Sequence, residues 1–345
     1  MGEHAVVYGK PALLTAIDKR LYVRIKNYVP PQRDPASGGK LGITSRLSGI
    51  SPQNAGNKEN VVIKSSENDS LIRKTIEVFK SINKLTKLPP MEISVTSQIP
   101  VGSGLGSSAA LAVALSGALL KFIYNIWNPS KINELAYQFE KIQHGSPSGA
   151  DNSIATMGGI IWYRKEFEFL KSIWSLPIRS YKFPGLILIN SGKPRESTAD
   201  MVKNVALRYK IKKKYLDNLF NDQESLSKKL LLALKSDDRK EFCIAIKKGE
   251  ANLEKMEVVS KTAQLVIREI EKVGGVAKIS GAGGEKYGSG MLLCYHENLM
   301  KLEKIAKKRK LDFFPINLGE EGVRLEREKL SNQQIIQSTN QQIIK

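Results

Sequence analysis

A chain of 345 residues with 41% hydrophobic side chains is long enough for two ordinary domains, each with its own core, and no secretory signal or membrane span is read in it. Its two cysteines, Cys243 and Cys294, and three scattered histidines have no metal-ligand spacing, which argues against a zinc or iron site and for a reducing cytoplasm with both thiols in the core. The net charge of +20, from 54 Lys+Arg against 34 Asp+Glu, is spread along the chain except for a short block at Lys210, Lys212, Lys213 and Lys214. It reads as a solvated surface that attracts anions, not as a nucleic-acid platform with interleaved aromatics.

Met1–Pro11 mixes polar and apolar residues and has no strand before it. Leu21–Tyr28 alternates as a strand, 30–60 is a loop or irregular hairpin rich in Gly, Ser, Pro and Asn, and Asp69–Leu85 has helical spacing of Leu71, Ile72, Ile76, Phe79 and Ile82. Met91–Ser97 is a strand that delivers the chain into Pro-Val-Gly-Ser-Gly-Leu-Gly-Ser-Ser-Ala-Ala at 100–110. Alternating Gly102, Gly104 and Gly106 let the backbone approach a ligand, and a helix starting behind them presents unpaired N–H groups and partial positive charge. Together these make an anion site suited to phosphate. The same residues also describe a Ser-capped turn ahead of a packed helix. A Walker A loop is excluded because no Gly-Lys-Ser/Thr follows, and the dinucleotide fingerprint fails because its third glycine comes one residue early. The apolar run is read as too short, and too rich in Gly and Ser, to span a bilayer, with Lys121 ending it.

Pro129–His144 is a second helix, opened by Asn128-Pro129. The polar turn at 143–152 follows, then a short helix, Gly158-Gly159 and the strand Ile160–Tyr163. In the second half, Gly185–Asn190 is a buried strand and Thr198–Lys272 is three or four amphipathic helices. Gly274–Ser280 is a strand entering a second glycine turn at 281–288. Strand, helix, strand and strand follow at Ser289–Tyr295, Glu297–Lys308, Leu311–Ile316 and Val323–Arg327. The tail repeats Asn-Gln-Gln-Ile-Ile at 332–336 and 340–344 and reads as disordered. Two strand-to-glycine-turn elements and a polar turn carrying one acid fit phosphoryl transfer, which needs amide donors, Mg2+ ligands and a group to take the hydroxyl proton.

Gly2–Lys10, Pro100–Ala110, His144–Asn152 and Lys278–Gly284 resemble, in order, the motifs of the mevalonate kinases. This family sits in the superfamily of galactokinase, homoserine kinase and phosphomevalonate kinase. The resemblance runs from residue 2 to about residue 295, and 144–152 is its most specific part. It implies an α+β fold of two domains, at 1–165 and 166–330 with a tail at 331–345. The first would be like a ribosomal-protein β–α domain, the second a sandwich-like α/β domain, with the active site in the cleft. It further implies ATP-dependent phosphorylation of the 5-hydroxyl of mevalonate in isoprenoid synthesis, in the cytoplasm, by a homodimer without membrane or nucleic-acid partners. Pro100, Gly102, Gly104, Leu105, Gly106, Ser107, Ser108 and Ala109 would bind ATP, with Ser107 and the amides of 104–108 on its phosphates. Ser108 and Glu140 would hold Mg2+, and Asp151 would accept or orient the hydroxyl proton. Glu3, His4, Gly281 and either Ser197 or Thr198 would contact mevalonate. The residues alone leave Glu140 as an exposed helix carboxylate, Asp151 as a helix cap and His4 as a core histidine. Galactose or homoserine as acceptor, or a basic nucleic-acid binder derived from the fold, are the competing functions.

Two departures stand out. The family carries a strand ending in Ala-Pro-Gly-Lys before Gly-Glu-His, whose lysine polarises the hydroxyl and neutralises the γ-phosphate. Lys10 matches a different, later lysine. The expectation is a start placed too far downstream or a truncated chain, with poor activity as written and the lysine in an upstream in-frame segment. Secondly, Glu285 and Lys286 stand where the family continues with glycines.

Overall fold

The structure is a computed structural model that describes residues 1–28, 61–65, 69–145, 147–326 and 342–344. The loop expected at 30–60 and most of the tail lie outside these residues. After a 3-10 turn at Ala5–Tyr8 come β1 (Ala12–Thr15) and β2 (Leu21–Asn27). Leu21, Val23 and Ile25 of β2 are buried while the residues between them are half-buried, as a period of two requires for a sheet with one covered face. β3 (Val61–Ser65) and helix α1 (Asp69–Ile82) follow. Helix α1 stops short of the expected Leu85, and Lys84 turns left-handed at φ 53°. β4 (Met91–Ser97) pairs antiparallel with β2 and parallel with β3. The buried Glu92 on β4 meets Lys26 and Lys64, one from each neighbouring strand, both at 3.0 Å, so its charge is matched from both sides.

Three helices, α2 (Ser107–Tyr124), α3 (Pro129–His144) and α4 (Ala150–Met157), follow the first glycine turn, and α2 and α3 share one core with this sheet. Helix α2 continues past Lys121, which was read as ending the apolar run. It runs to Tyr124, where Asn125 closes it in the left-handed conformation. At 18 residues it is long and apolar enough to cross a membrane by length and composition, contrary to the short run read from the sequence. Core packing accounts for that composition: Leu111, Leu115, Leu119 and Leu120 are each at most 2% exposed, and burying each is worth roughly 1.5–3 kcal/mol. Helix α3 begins as its sequence predicts, with Pro129 in the first turn and the Asn128 side chain accepting from the Lys131 N–H at 3.1 Å.

β5 (Ile160–Lys165) and β6 (Lys171–Leu176) join β1 in an antiparallel sheet of order β1-β5-β6. β7 (Leu186–Asn190) leads to four helices, α5 (Thr198–Ile211), α6 (Lys213–Ser236), α7 (Arg239–Lys255) and α8 (Lys261–Lys272). They are divided at Lys212, at the left-handed Asp237 and by caps at Asp238 and Ser260. β8 (Val276–Ile279), β9 (Met291–Tyr295), α9 (Leu299–Lys308) and β10 (Phe313–Ile316) complete this half, and its antiparallel sheet has the order β10-β7-β9-β8. Cys294 is buried in it, whereas Cys243 is half-buried rather than fully in the core.

The chain then returns to the first half. β11 (Leu325–Glu326) and β12 (Gln342–Ile344) extend the five-stranded sheet to the order β11-β12-β2-β4-β3. Gln342–Ile344 is therefore a strand where the sequence suggested disorder. The free edge of β2 offers backbone donors and acceptors, and a segment with two β-branched residues pairs there, with Ile343 opposite Arg24.

Candidate active site

The two glycine turns cross. Gly104 (φ 79°) lies so close to the second turn that a Cβ on it would fall 2.4 Å from the Ser280 carbonyl oxygen, and one on Gly281 (φ 72°) would fall 2.8 Å from the Gly104 oxygen. Only residues without side chains allow this approach. The Met291 N–H ties the crossing from behind, donating to the Ser103 oxygen at 2.8 Å. The chain then enters α2 through Gly106 (φ 70°), which caps it without any side-chain hydrogen bond. Ser107 and Ser108 already lie inside the helix. The Ser-capped alternative therefore fails, and no side chain caps the positive helix end.

Asp151 sits at this helix mouth: a Cβ on Gly106 would lie 3.7 Å from the Asp151 Cβ. Asp151 occupies the first turn of α4, whose cap is Gly149 and makes no side-chain bond. Asp151 is not the cap. The turn before it is pinned from β5, where the Tyr163 hydroxyl donates to the Ser148 oxygen and Lys165 Nζ donates to the Pro147 oxygen at 3.0 Å. Asn152 fastens α4 to α3 through Asn133 Oδ1 at 2.6 Å. Asp151 opens onto the solvent of the cleft, yet the protein mass lining that cleft raises its pKa, with the Glu3 charge adding to the effect.

Glu140 on α3 is 7% exposed, not the solvated carboxylate its helical position allowed. Burial and the nearby Asp151 charge push its pKa up to about 8, and hydrogen bonding to Ser108 opposes them. Two carboxylates and a hydroxyl thus converge beside the α2 mouth, an arrangement a cation would relieve.

Opposite lies a buried charge cluster. Lys278, 3% exposed in the middle of β8, donates to Glu3 Oε1 at 2.5 Å and to the Ile279 oxygen at 2.7 Å. Burial pushes Glu3 up, but the Lys278 ammonium and the chain's amino group outweigh it and hold the carboxyl at about 2. His4 is buried and its Nε2 lies 2.9 Å from the Ala282 oxygen. Burial lowers its pKa despite that bond, which keeps the ring neutral. Behind them Glu250, 2% exposed, accepts the Ile279 N–H at 2.9 Å. Burial raises its pKa from 4.5 to about 7. A carboxyl that binds its proton more tightly when folded leaves stability complete below pH 4.5 and erodes it as pH rises through 7. Glu250→Gln is therefore expected to melt a few degrees above wild type near pH 8 and together with it near pH 4.5. Equal melting at both would mean that Glu250 is not held protonated by the fold.

Glu3, His4, Asp151 and Lys278 border one cavity of about 300 Å3, and Glu140 and Glu250 lie outside its lining. Of the residues expected at the site, Glu3, His4, Gly104, Leu105, Gly106, Asp151, Thr198 and Gly281 line it. Ser197 does not: its hydroxyl closes a capping box with Asp200, accepting from the Asp200 N–H at 3.1 Å, which leaves Thr198 on the cavity. Ser107 and Ser108 follow Gly106 along α2, outside the lining. Pro100, Gly102 and Ala109 are also outside it: the Pro100 oxygen accepts from Ser103 Oγ at 2.6 Å, and the Ala109 side chain is 1% exposed. A smaller space of about 130 Å3, reached past the same Gly106 and Asp151, is bordered by Lys19 and Arg20. Sequence reasoning assigned no role to Lys278 or Lys193. A lysine amid the apolar residues of a buried strand was the available signal for the first. Lys193 gave none: it is exposed, and its Nζ reaches within 3.7 Å of where a Gly102 side chain would begin.

The chain is similar to known proteins in sequence and in fold. Residues 70–159 match the family described as GHMP kinases N terminal domain. The chain is 30% identical to the mevalonate kinase of Pyrococcus abyssi over 82% of each chain. It is 30% identical to that of Arabidopsis thaliana over 82% of this chain and 85% of the relative. Among solved structures, L. major mevalonate kinase in complex with R-mevalonate shares the fold with a TM-score of 0.71 at 18% identity, over 93% of each chain.

Proposed function

The chain belongs to the mevalonate kinase family, and from that premise we propose that its cavity binds mevalonate and that the 5-hydroxyl attacks the γ-phosphate of ATP held over the first glycine turn. The protein is an ATP-dependent mevalonate kinase. The observation that carries the assignment to this site is the Asp151 carboxylate at the uncapped mouth of α2, in one cavity with Glu3, His4 and Thr198. The amides at 104–108 take the phosphates, Asp151 accepts or orients the hydroxyl proton, and the polar wall of Thr198, His4 and Gly281 receives the acid. The division into 1–165 and 166–330 goes with this reading, with β6 and β11 crossing back to the first half, which we read as the ribosomal-protein-like domain. Cytoplasmic residence, supported by two free thiols, and a homodimeric state belong to it as well.

Mg2+ fits the donor set. Ser108 and Glu140 supply the hard oxygens it takes, and the mutual repulsion of Glu140 and Asp151 calls for a cation. When bound, it neutralises charge on the phosphate oxygens. Ser108→Ala is expected to raise the Mg2+ concentration for half-maximal rate several-fold while leaving the KM for mevalonate unchanged. An unaltered metal requirement would remove Ser108 from the ligand set.

The test of the whole reading is direct. Full-length protein should consume ATP with mevalonate and not with galactose or homoserine. Equal turnover of galactose, with none of mevalonate, would overturn it.

A further inference from the structure

The second glycine turn, 281–288, contains three residues, Glu285, Lys286 and Tyr287, that break its glycine run. Each meets the same stretch of chain, Pro194–Arg208. Glu285 Oε1 accepts from Arg208 Nη2 at 2.7 Å and from Asn204 Nδ2 at 2.9 Å. Arg208 is itself fixed, donating from Nε to Glu257 at 3.1 Å and from Nη1 to the Met256 oxygen at 3.4 Å. The Lys286 N–H points at Glu196 Oε2 at 3.5 Å. Tyr287 bridges to Pro194, and Arg195 Cζ lies 3.9 Å from its ring centre, a distance at which the cation and the ring attract. Between them the backbones nearly touch: a Cβ on Gly288 would fall 2.0 Å from the Gly192 oxygen.

The stretch so gripped contains the Ser197 cap and first turn of α5, and so carries Thr198 to the cavity wall. The other end of the same turn, Ser280–Gly281, is pressed against Gly104. One rigid turn therefore touches the phosphate-binding loop on one side and the α5 start on the other. We propose that Glu285 is a positioning residue that fixes α5 through its middle and last turns, and with the helix Thr198 at its start, at a set distance from the first glycine turn. It acts through Arg208 and Asn204 and does not itself reach the cavity. The purpose depends on the cavity being the kinase site. The mechanical claim does not.

Glu285→Ala tests it in two ways. The KM for mevalonate should rise about tenfold while the KM for ATP stays within about twofold, since only one wall of the site loosens. In the ligand-free protein, amides at 201–207 should exchange with solvent about tenfold faster, while those of α8 stay at the wild-type rate. Glu285→Gln, which keeps an acceptor oxygen and loses the charge, should fall between. It also stands in should the alanine variant not fold. Wild-type KM for mevalonate together with wild-type exchange at 201–207 would overturn the proposal. If the wild-type enzyme does not phosphorylate mevalonate, the function assigned to the cavity fails and the exchange measurement alone decides the role of Glu285.

Discussion

Asp151→Asn in the full-length protein is expected to lower kcat at least ~100-fold, the low end of what a positioned general base contributes and about 2.7 kcal/mol in barrier height. The amide keeps the shape of the carboxylate and can still accept one hydrogen bond, but it cannot take a proton from the attacking hydroxyl. The structure makes the substitution a clean one. Asp151 caps nothing, since Gly149 begins α4, and it opens onto the cleft, so the variant should melt close to wild type. The KM for ATP should hardly move, because the phosphates rest on the amides of the α2 mouth. The raised pKa of Asp151, from the protein mass around the cleft and the Glu3 charge, adds a second readout. A base must be ionised to work, so the acidic limb of the wild-type rate profile should lie above the ordinary carboxylate range of about 4 and should disappear in the variant. A variant with near-wild-type turnover would leave Asp151 a structural residue.

What could be read from the sequence depended on how far apart the cooperating residues lie along the chain. The phosphate turn was legible because Gly102, Gly104, Gly106 and the helix behind them are contiguous. The pairing of Glu140 with Asp151 came from the resemblance, and only the fold shows that α3 and α4 bring the two together. The cap of α3 was visible in Asn128-Pro129 for the same local reason. The contact of Gly104 with Ser280 was not, because it joins turns separated by more than half the chain, and each turn alone reads as an ordinary loop. Lys278 gave no sign of its role within the 278–284 segment, since its partner Glu3 stands at the other end of the sequence. The composition of α2 was ambiguous in itself: an apolar 18-residue helix reads alike whether neighbouring helices or lipid cover it. β12 went unread because three residues gain their order only from the waiting edge of β2.

Gly104→Ala isolates the long-range part of this design with a single methyl group, and it should lower kcat/KM for mevalonate about 100-fold. Two effects combine at this position. The left-handed φ of 79° strains any residue with a Cβ by roughly 1–2 kcal/mol. The added carbon would also meet the Ser280 oxygen at 2.4 Å and its carbonyl carbon at 3.2 Å, backbone atoms that cannot rotate away. The turns must part, and a displacement near 1 Å in a site that works by alignment is worth about 100-fold in rate. Gly159→Ala separates the two contributions. Gly159 has a similar φ of 65° but nothing within 4 Å of its would-be Cβ, so it should lose stability through strain alone and keep its kcat/KM. Melting temperature and steady-state kinetics on both variants then distinguish a strained backbone from a displaced site. If Gly104→Ala retains kcat/KM as well as Gly159→Ala does, the crossing of the turns does not set the alignment of phosphate and acceptor.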